Sequence, residues 1–166
     1  SRQAAAEVRW GSQVPSLDPT QPYAATDAAI ARLQSLLAEA SQAAAIDEGL
    51  LLRLRRDLVV ALRDRGRWDD ALAVVSQLRA SGDSLPPYVR LAEADALLGA
   101  RRPHEARQAY QGVLAVIPNS RQARVGLFYS QVEIEDFGAA SASADSLAGE
   151  GTAWRAVGPH STLPPK

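Results

Sequence analysis

The sequence predicts an all-α fold built as an array of antiparallel helix pairs. Three observations predict it. Apolar residues recur three and four apart along most of the chain, and no stretch alternates apolar and polar as a half-buried strand does. Glycines and prolines punctuate those stretches at short intervals. One layout also comes back three times, an aromatic or proline three residues before an alanine: Trp68 before Ala71, Pro103 before Ala106, Phe137 before Ala140. These alanines lie 35 and then 34 residues apart, the spacing of stacked supersecondary units.

The elements follow in order. Residues 1–25 read as the end of a preceding helix and then a linker, because Pro15, Pro19 and Pro22 forbid a helix. From residue 26 to 46 a single helix is expected, capped by Thr26 or Asp27, with Ile30, Leu33, Leu37, Ala40 and Ala44 as its apolar stripe. Residues 47–82 form the first helix pair. Leu51, Leu54, Leu58 and Leu62 face inward on its first helix, Asp47 and Glu48 suit the positive helix start, and Gly66 stops it. Trp68–Ala80 is the second helix, with Ala71, Leu72, Val75 and Leu78 inward and Asp69 and Asp70 in its first turn. The second pair spans 86–118, as Pro87–Leu98 and Pro103–Val116, and Pro103 suits a first helical position whose amide has no partner. The third spans 120–149, as Ser120–Glu133 and Asp136–Ala148. Residues 151–166 are expected as an extended Gly/Pro-rich tail.

Set on the tetratricopeptide template, the three copies match in part. The large residue four beyond each alanine is Val75, Tyr110 and Ala144, and only Pro118 fills the closing proline position, where Asp83 and Thr152 stand in the other copies. Glu93 replaces an expected leucine and Phe128 an expected small residue. The period and the helix–turn–helix layout still point to a right-handed superhelical array of this type.

Composition narrows the function. Hydrophobic residues are 46% of the chain but aromatics only 5%, so the core is aliphatic and alanine-rich. A net charge of −1 offers no global field for nucleic acid or an anionic membrane, and neither is expected as a partner. The absence of cysteine excludes disulfides and thiolate sites and suits an oxidising compartment. No apolar run is long enough to span a membrane. With no methionine and an opening "SRQAAAEVRW", the sequence reads as a piece of a larger protein.

The second half carries a resemblance. Pro87-Tyr88-Val89, Ala94-Asp95, Gly126-Leu127-Phe128-Tyr129, Val132-Glu133, Glu135-Asp136-Phe137 and Trp154 make this segment similar to the periplasmic tetratricopeptide region of the PgaA family. "RWG" at Arg9–Gly11 and "ATDAAIARLQSLL" from Ala25 resemble its preceding segment, so the likeness covers about residues 9–155. "GLFYSQVEIEDF" is no part of the general repeat template, which makes the likeness more specific than the period. That family is the outer-membrane porin that exports poly-β-1,6-N-acetylglucosamine, a biofilm polysaccharide. The resemblance implies attachment to an outer-membrane β-barrel, a repeat domain in the periplasm that guides partly deacetylated polymer to the pore, and docking of the periplasmic deacetylase of the PgaB family.

Catalysis is not expected, and no cofactor or metal is called for. His104 and His160 are far apart, and neither belongs to a nucleophile, metal or phosphate motif. Repeat arrays bind along the wall made by the first helix of each pair. Its inner stripe is Arg53, Arg56, Val60 and Arg63 in the first copy. It is Tyr88, Leu91, Asp95 and Leu98 in the second, and Gln122, Val125, Tyr129 and Val132, with Glu133 beside them, in the third. Tyr88, Asp95, Tyr129 and Glu133 are the candidate polysaccharide site: carboxylates attract the ammonium groups of a deacetylated aminosugar, and aromatic faces suit sugar rings and cations. The plain structural reading packs both tyrosines between helices and leaves the acids in water. Arg53, Arg56 and Arg63 are the candidate partner-binding face, able to clamp a carboxylate or an acidic surface. Its plain reading pairs them with Asp57 and Asp64 at helical spacing. Two alternatives remain open: a protein-interaction scaffold without sugar affinity, and the repeat domain of a cellulose or alginate exporter.

Overall fold

The structure, a computed structural model, describes residues 20–42 and 47–156. Every regular element in them is a helix: α1 Ala24–Gln42, α2 Glu48–Arg65, α3 Trp68–Ala80, α4 Pro87–Gly99, α5 Pro103–Val116, α6 Arg121–Glu133 and α7 Phe137–Ala156. The linker and helix end expected before residue 20, Ala44 and His160 lie outside the described residues.

Each helix packs on its neighbours in sequence. In addition α2 touches α4, and α4 touches α6, whereas among the described residues the backbones of α1, α3, α5 and α7 do not come within packing distance of one another. The described residues therefore form an inner row, α2–α4–α6, and an outer row whose members are held apart by it. Helices joined by two or three residues pack antiparallel because so short a link leaves no other course.

The repeat is visible in the backbone. Gly66, Arg101 and Glu135 all take left-handed φ, at 77°, 61° and 60°. Each lies just after an inner helix and repeats one bonding pattern. Their amides donate to the carbonyls of Arg63, Leu98 and Val132, and the next amides, of Arg67, Arg102 and Asp136, donate to Leu62, Leu97 and Gln131. This is the Schellman closure, which satisfies carbonyls a helix end leaves bare. Its spacings, 35 and then 34, equal those of Ala71, Ala106 and Ala140, and all three alanines are buried.

Local chemistry explains the boundaries. Asp47 caps α2, its Oδ1 accepting from the Leu50 amide at 3.0 Å. Ser120 caps α6 through the Ala123 amide at 3.3 Å. The α1 cap differs from expectation, because the helix begins at Ala24 and takes in both predicted capping residues. Thr26 is buried, and Asp27 accepts from Arg65 Nε at 2.7 Å. At the other end α7 continues to Ala156, past the expected boundary near residue 149. Gly149 and Gly151 each cost a helix about 1 kcal/mol relative to alanine but do not forbid it as proline does.

The core is aliphatic. One cluster centres on Ile30, Leu33, Leu54, Leu58, Leu62, Val75, Leu78 and Val89. A second holds Ala94, Leu97, Ala106, Tyr110, Val113 and Ala123. Tyr110 is its one aromatic member and is buried beside Gly126, where a Cβ would stand 2.1 Å from the Tyr110 Cζ. Only glycine permits that approach of ring to backbone.

Candidate functional site

The inner row presents the predicted stripes in register. Arg53, Tyr88 and Gln122 occupy one level, Arg56, Leu91 and Val125 the next, then Val60, Asp95 and Tyr129, then Arg63, Leu98 and Val132. This follows from the shared helix closures. Within that face the seven predicted site residues separate into two groups.

One group is bound up in the protein itself. Asp95 accepts three hydrogen bonds: Oδ1 from the Tyr110 hydroxyl at 2.7 Å, and Oδ2 from Arg63 Nη1 at 2.9 Å and Gln122 Nε2 at 2.8 Å. One carboxylate of α4 thereby ties together α2, α5 and α6. Burial pushes the Asp95 carboxyl above its usual range, against the pull of its three donors. Burial and the nearby Asp95 charge drive the Tyr110 phenol well above its ordinary range, which keeps it a donor. Arg63 also pairs with Asp64 at 3.0 Å. Arg56 is forked onto Asp83, Nε to Oδ2 at 2.8 Å and Nη2 to Oδ1 at 2.5 Å. The Arg56 bonds hold the buried Asp83 carboxyl below its usual range, helped by the backbone amides of Leu85 and Ser84.

The other group faces outward. Tyr88 is 48% exposed and Tyr129 55%. Tyr129 meets the Phe128 ring edge-on, centroids 5.3 Å apart. Partial burial and the charge of Asp57 raise the Tyr88 phenol, against the charge of Arg56. Val132 is exposed beside Tyr129. Arg53 is exposed. Glu133 stays accessible, with Arg101 Nη1 at 3.2 Å.

The geometry therefore joins residues that the sequence separates into two sites. Arg63 and Asp95 are each other's ion pair, so the acid is not displayed for a ligand ammonium nor the arginine for a partner carboxylate. The arginine pairing with Asp64 holds, and Arg56 reaches beyond its own helix to Asp83, in the loop between α3 and α4. The sequence reading puts Gln122 on the inner stripe without a role and leaves Tyr110 and Asp83 off this face. Two signals were present. Tyr110 fills the large position of its copy, and Asp83 stands where the template places proline.

Among the described residues no three His, Cys, Asp or Glu side chains are grouped as a metal set, and no helix is long and apolar enough to cross a membrane. His104 is exposed in the first turn of α5. No protein-family model matches this sequence, and no curated protein matches it either.

Proposed function

We infer that this chain is a non-catalytic binding array of tetratricopeptide type. It belongs to the periplasmic portion of an outer-membrane exporter of poly-β-1,6-N-acetylglucosamine, where it guides partly deacetylated polymer and docks the deacetylase. The observation that carries the reading is the pair Tyr88 and Tyr129, each about half exposed on the same inner face. A large aromatic left in water at a position where a helix array could have packed it is a candidate platform for sugar rings. The resemblance around Tyr88, Asp95 and "GLFYSQVEIEDF" supplies the polymer.

The charges refine this reading. Glu133 is the acid available to a ligand ammonium, and Asp95 acts through Tyr110, Arg63 and Gln122 to hold the inner helices in place. Of the three arginines, Arg53 is the one open to a partner. Titrating the protein with β-1,6-linked glucosamine oligomers tests the proposal. Amide shifts centred on Tyr88, Tyr129 and Glu133, lost when both tyrosines are alanine, support it.

A scaffold that binds only protein is the second reading. The exposed Val132 beside Tyr129 favours it, because an aliphatic patch suits an apolar helix better than a sugar. Binding of the deacetylase without any binding of oligomer decides for it.

A further inference from the structure

The array repeats one burial pattern that its last pair leaves incomplete. In the first pair, Val75 and Leu78 of the outer helix share a cluster with Val89, Ala92 and Ala96 of α4. In the second, Tyr110 and Val113 share one with Ala123 of α6. All four outer residues are at most 2% exposed, and Val59 and Ala94 of the inner helices are fully buried. In the third pair these places fall to Ala144, Leu147 and Phe128, which are only partly buried. Trp68 lies against Gly99 at the end of α4, where a Cβ would stand 2.5 Å from the indole. Its counterpart Phe137 is 65% exposed. Among the described residues α7 packs on α6 alone. The α6–α7 pair thus leaves open the apolar places that α4 and α6 cover on the two earlier pairs.

Continuity with those two interfaces says what fits there. Each is closed by an inner helix that offers small residues at matching places: Val89, Ala92 and Ala96, then Ala123, Gly126 and Ser130, all buried. Sizes are matched across the contact. Tyr110 requires Gly126, while the smaller Val75 shares its cluster with Ala92, 34 residues before that glycine. Ala144 is smaller than either outer residue, so the corresponding place on a covering helix takes a large side chain. Phe137, like Trp68, calls for glycine seven residues further along that helix. A second copy of this chain does not continue the pattern. The other end of the array presents α1, an outer helix, whereas inner helices close both existing interfaces.

We propose that the end face formed by α6 and α7 is a docking site for one amphipathic helix of a protein partner, laid parallel to α6, with a large apolar residue over Ala144 and a glycine beside Phe137. Binding of this kind lays the apolar stripe of a helix on an apolar surface. The site is separate from the inner face and independent of any affinity for polysaccharide.

The probe is a synthetic peptide of residues 86–102, which is α4 with its closure, in the parent form and with Ala92→Leu. Alanine and leucine are both strong helix formers, so the two peptides differ in what they set over Ala144. Each is titrated into the protein while backbone amide shifts are recorded. The expected result is saturable shifts at Phe128, Phe137, Ala144 and Leu147 with the leucine peptide, and binding at least about tenfold weaker with the parent peptide, which buries three carbons fewer. A further Gly99→Leu change in the leucine peptide abolishes the shifts. The protein variant Ala144→Tyr, which copies Tyr110, reverses the order of the two peptides. No shifts from either peptide, equal affinity for the two, or shifts centred instead on Tyr88 and Tyr129 overturn the proposal. Self-association of the protein, seen by sedimentation and lost in Phe137→Ala, assigns the face to a second copy and also overturns it. The comparison of the two peptides on the unaltered protein decides the matter even where the variant does not fold.

Discussion

The Tyr110 hydroxyl donates to Asp95 Oδ1 at 2.7 Å, reaching from the outer row of helices to a carboxylate on the inner row. The bond exists because Gly126 lets the ring pass against the α6 backbone. Through Asp95 it meets Arg63 and Gln122, so four helices share one carboxylate. The residues that set the inner surface are thus fixed from behind it.

Tyr110→Phe removes this bond and keeps the ring. A hydrogen bond to a charged group in a partly buried place contributes about 1.5–3 kcal/mol. Urea unfolding is expected to show a loss in that range with an unchanged slope. No loss would mean that Arg63 and Gln122 alone satisfy Asp95.

Gly126→Ala drives a methyl into the Tyr110 ring and should cost about 1–3 kcal/mol or more, the range for an overpacked core. Combined with Tyr110→Leu, which clears the ring, the alanine should cost much less than it does alone. That non-additivity, read from a double-mutant cycle, is the signature of direct contact.

Arg101 and Glu135 occupy left-handed positions that Gly66 fills without strain. Replacing either by glycine is expected to stabilise the protein by about 0.5–1 kcal/mol, because the relief of a side chain's αL strain exceeds the added freedom of the unfolded chain. The exposed Arg101–Glu133 pair contributes little to lose. A shift of the melting temperature downward in both variants contradicts this.

Acid should act through Asp83. Its folded pKa lies below its unfolded one, so its contribution to stability is complete above the ordinary carboxylate value near 3.8 and fades as pH falls through the depressed folded value. Asp95, raised by burial, works the other way and gains stability as pH falls through its raised value. Denaturant melts from pH 7 down to the acid limb should therefore show Asp83→Asn least stable relative to the parent above pH 4, with the gap closing below it. A gap constant across that range removes Asp83 from the account.

The fold was largely legible in the sequence, because helix boundaries depend on local signals. Gly66 closes α2, Pro103 opens α5, and the recurrence of Ala71, Ala106 and Ala140 sets the stacking. Local signals failed where two elements had to meet. Nothing within a few residues of Asp95 says that Arg63, 32 residues before it, and Tyr110, 15 after it, converge on its carboxylate. Glu93 read as a flaw in the template for the same reason, since its partner Arg79 belongs to the preceding helix. The stripe positions were predicted, but which of them stay open to solvent depended on contacts across the array. Tyr88, Tyr129 and Arg53 stay open, and Asp95, Arg56 and Arg63 are engaged.

The most direct measurement of the central claim is an amide-shift titration with β-1,6-linked glucosamine oligomers, acetylated and partly deacetylated, on the parent and on Tyr88→Ala/Tyr129→Ala. The account predicts saturable shifts along the inner row near Tyr88, Tyr129 and Glu133, and their loss in the double variant with the helical spectrum retained. Shifts absent at millimolar oligomer, or unchanged in the double variant, contradict the claim that these tyrosines carry a polysaccharide.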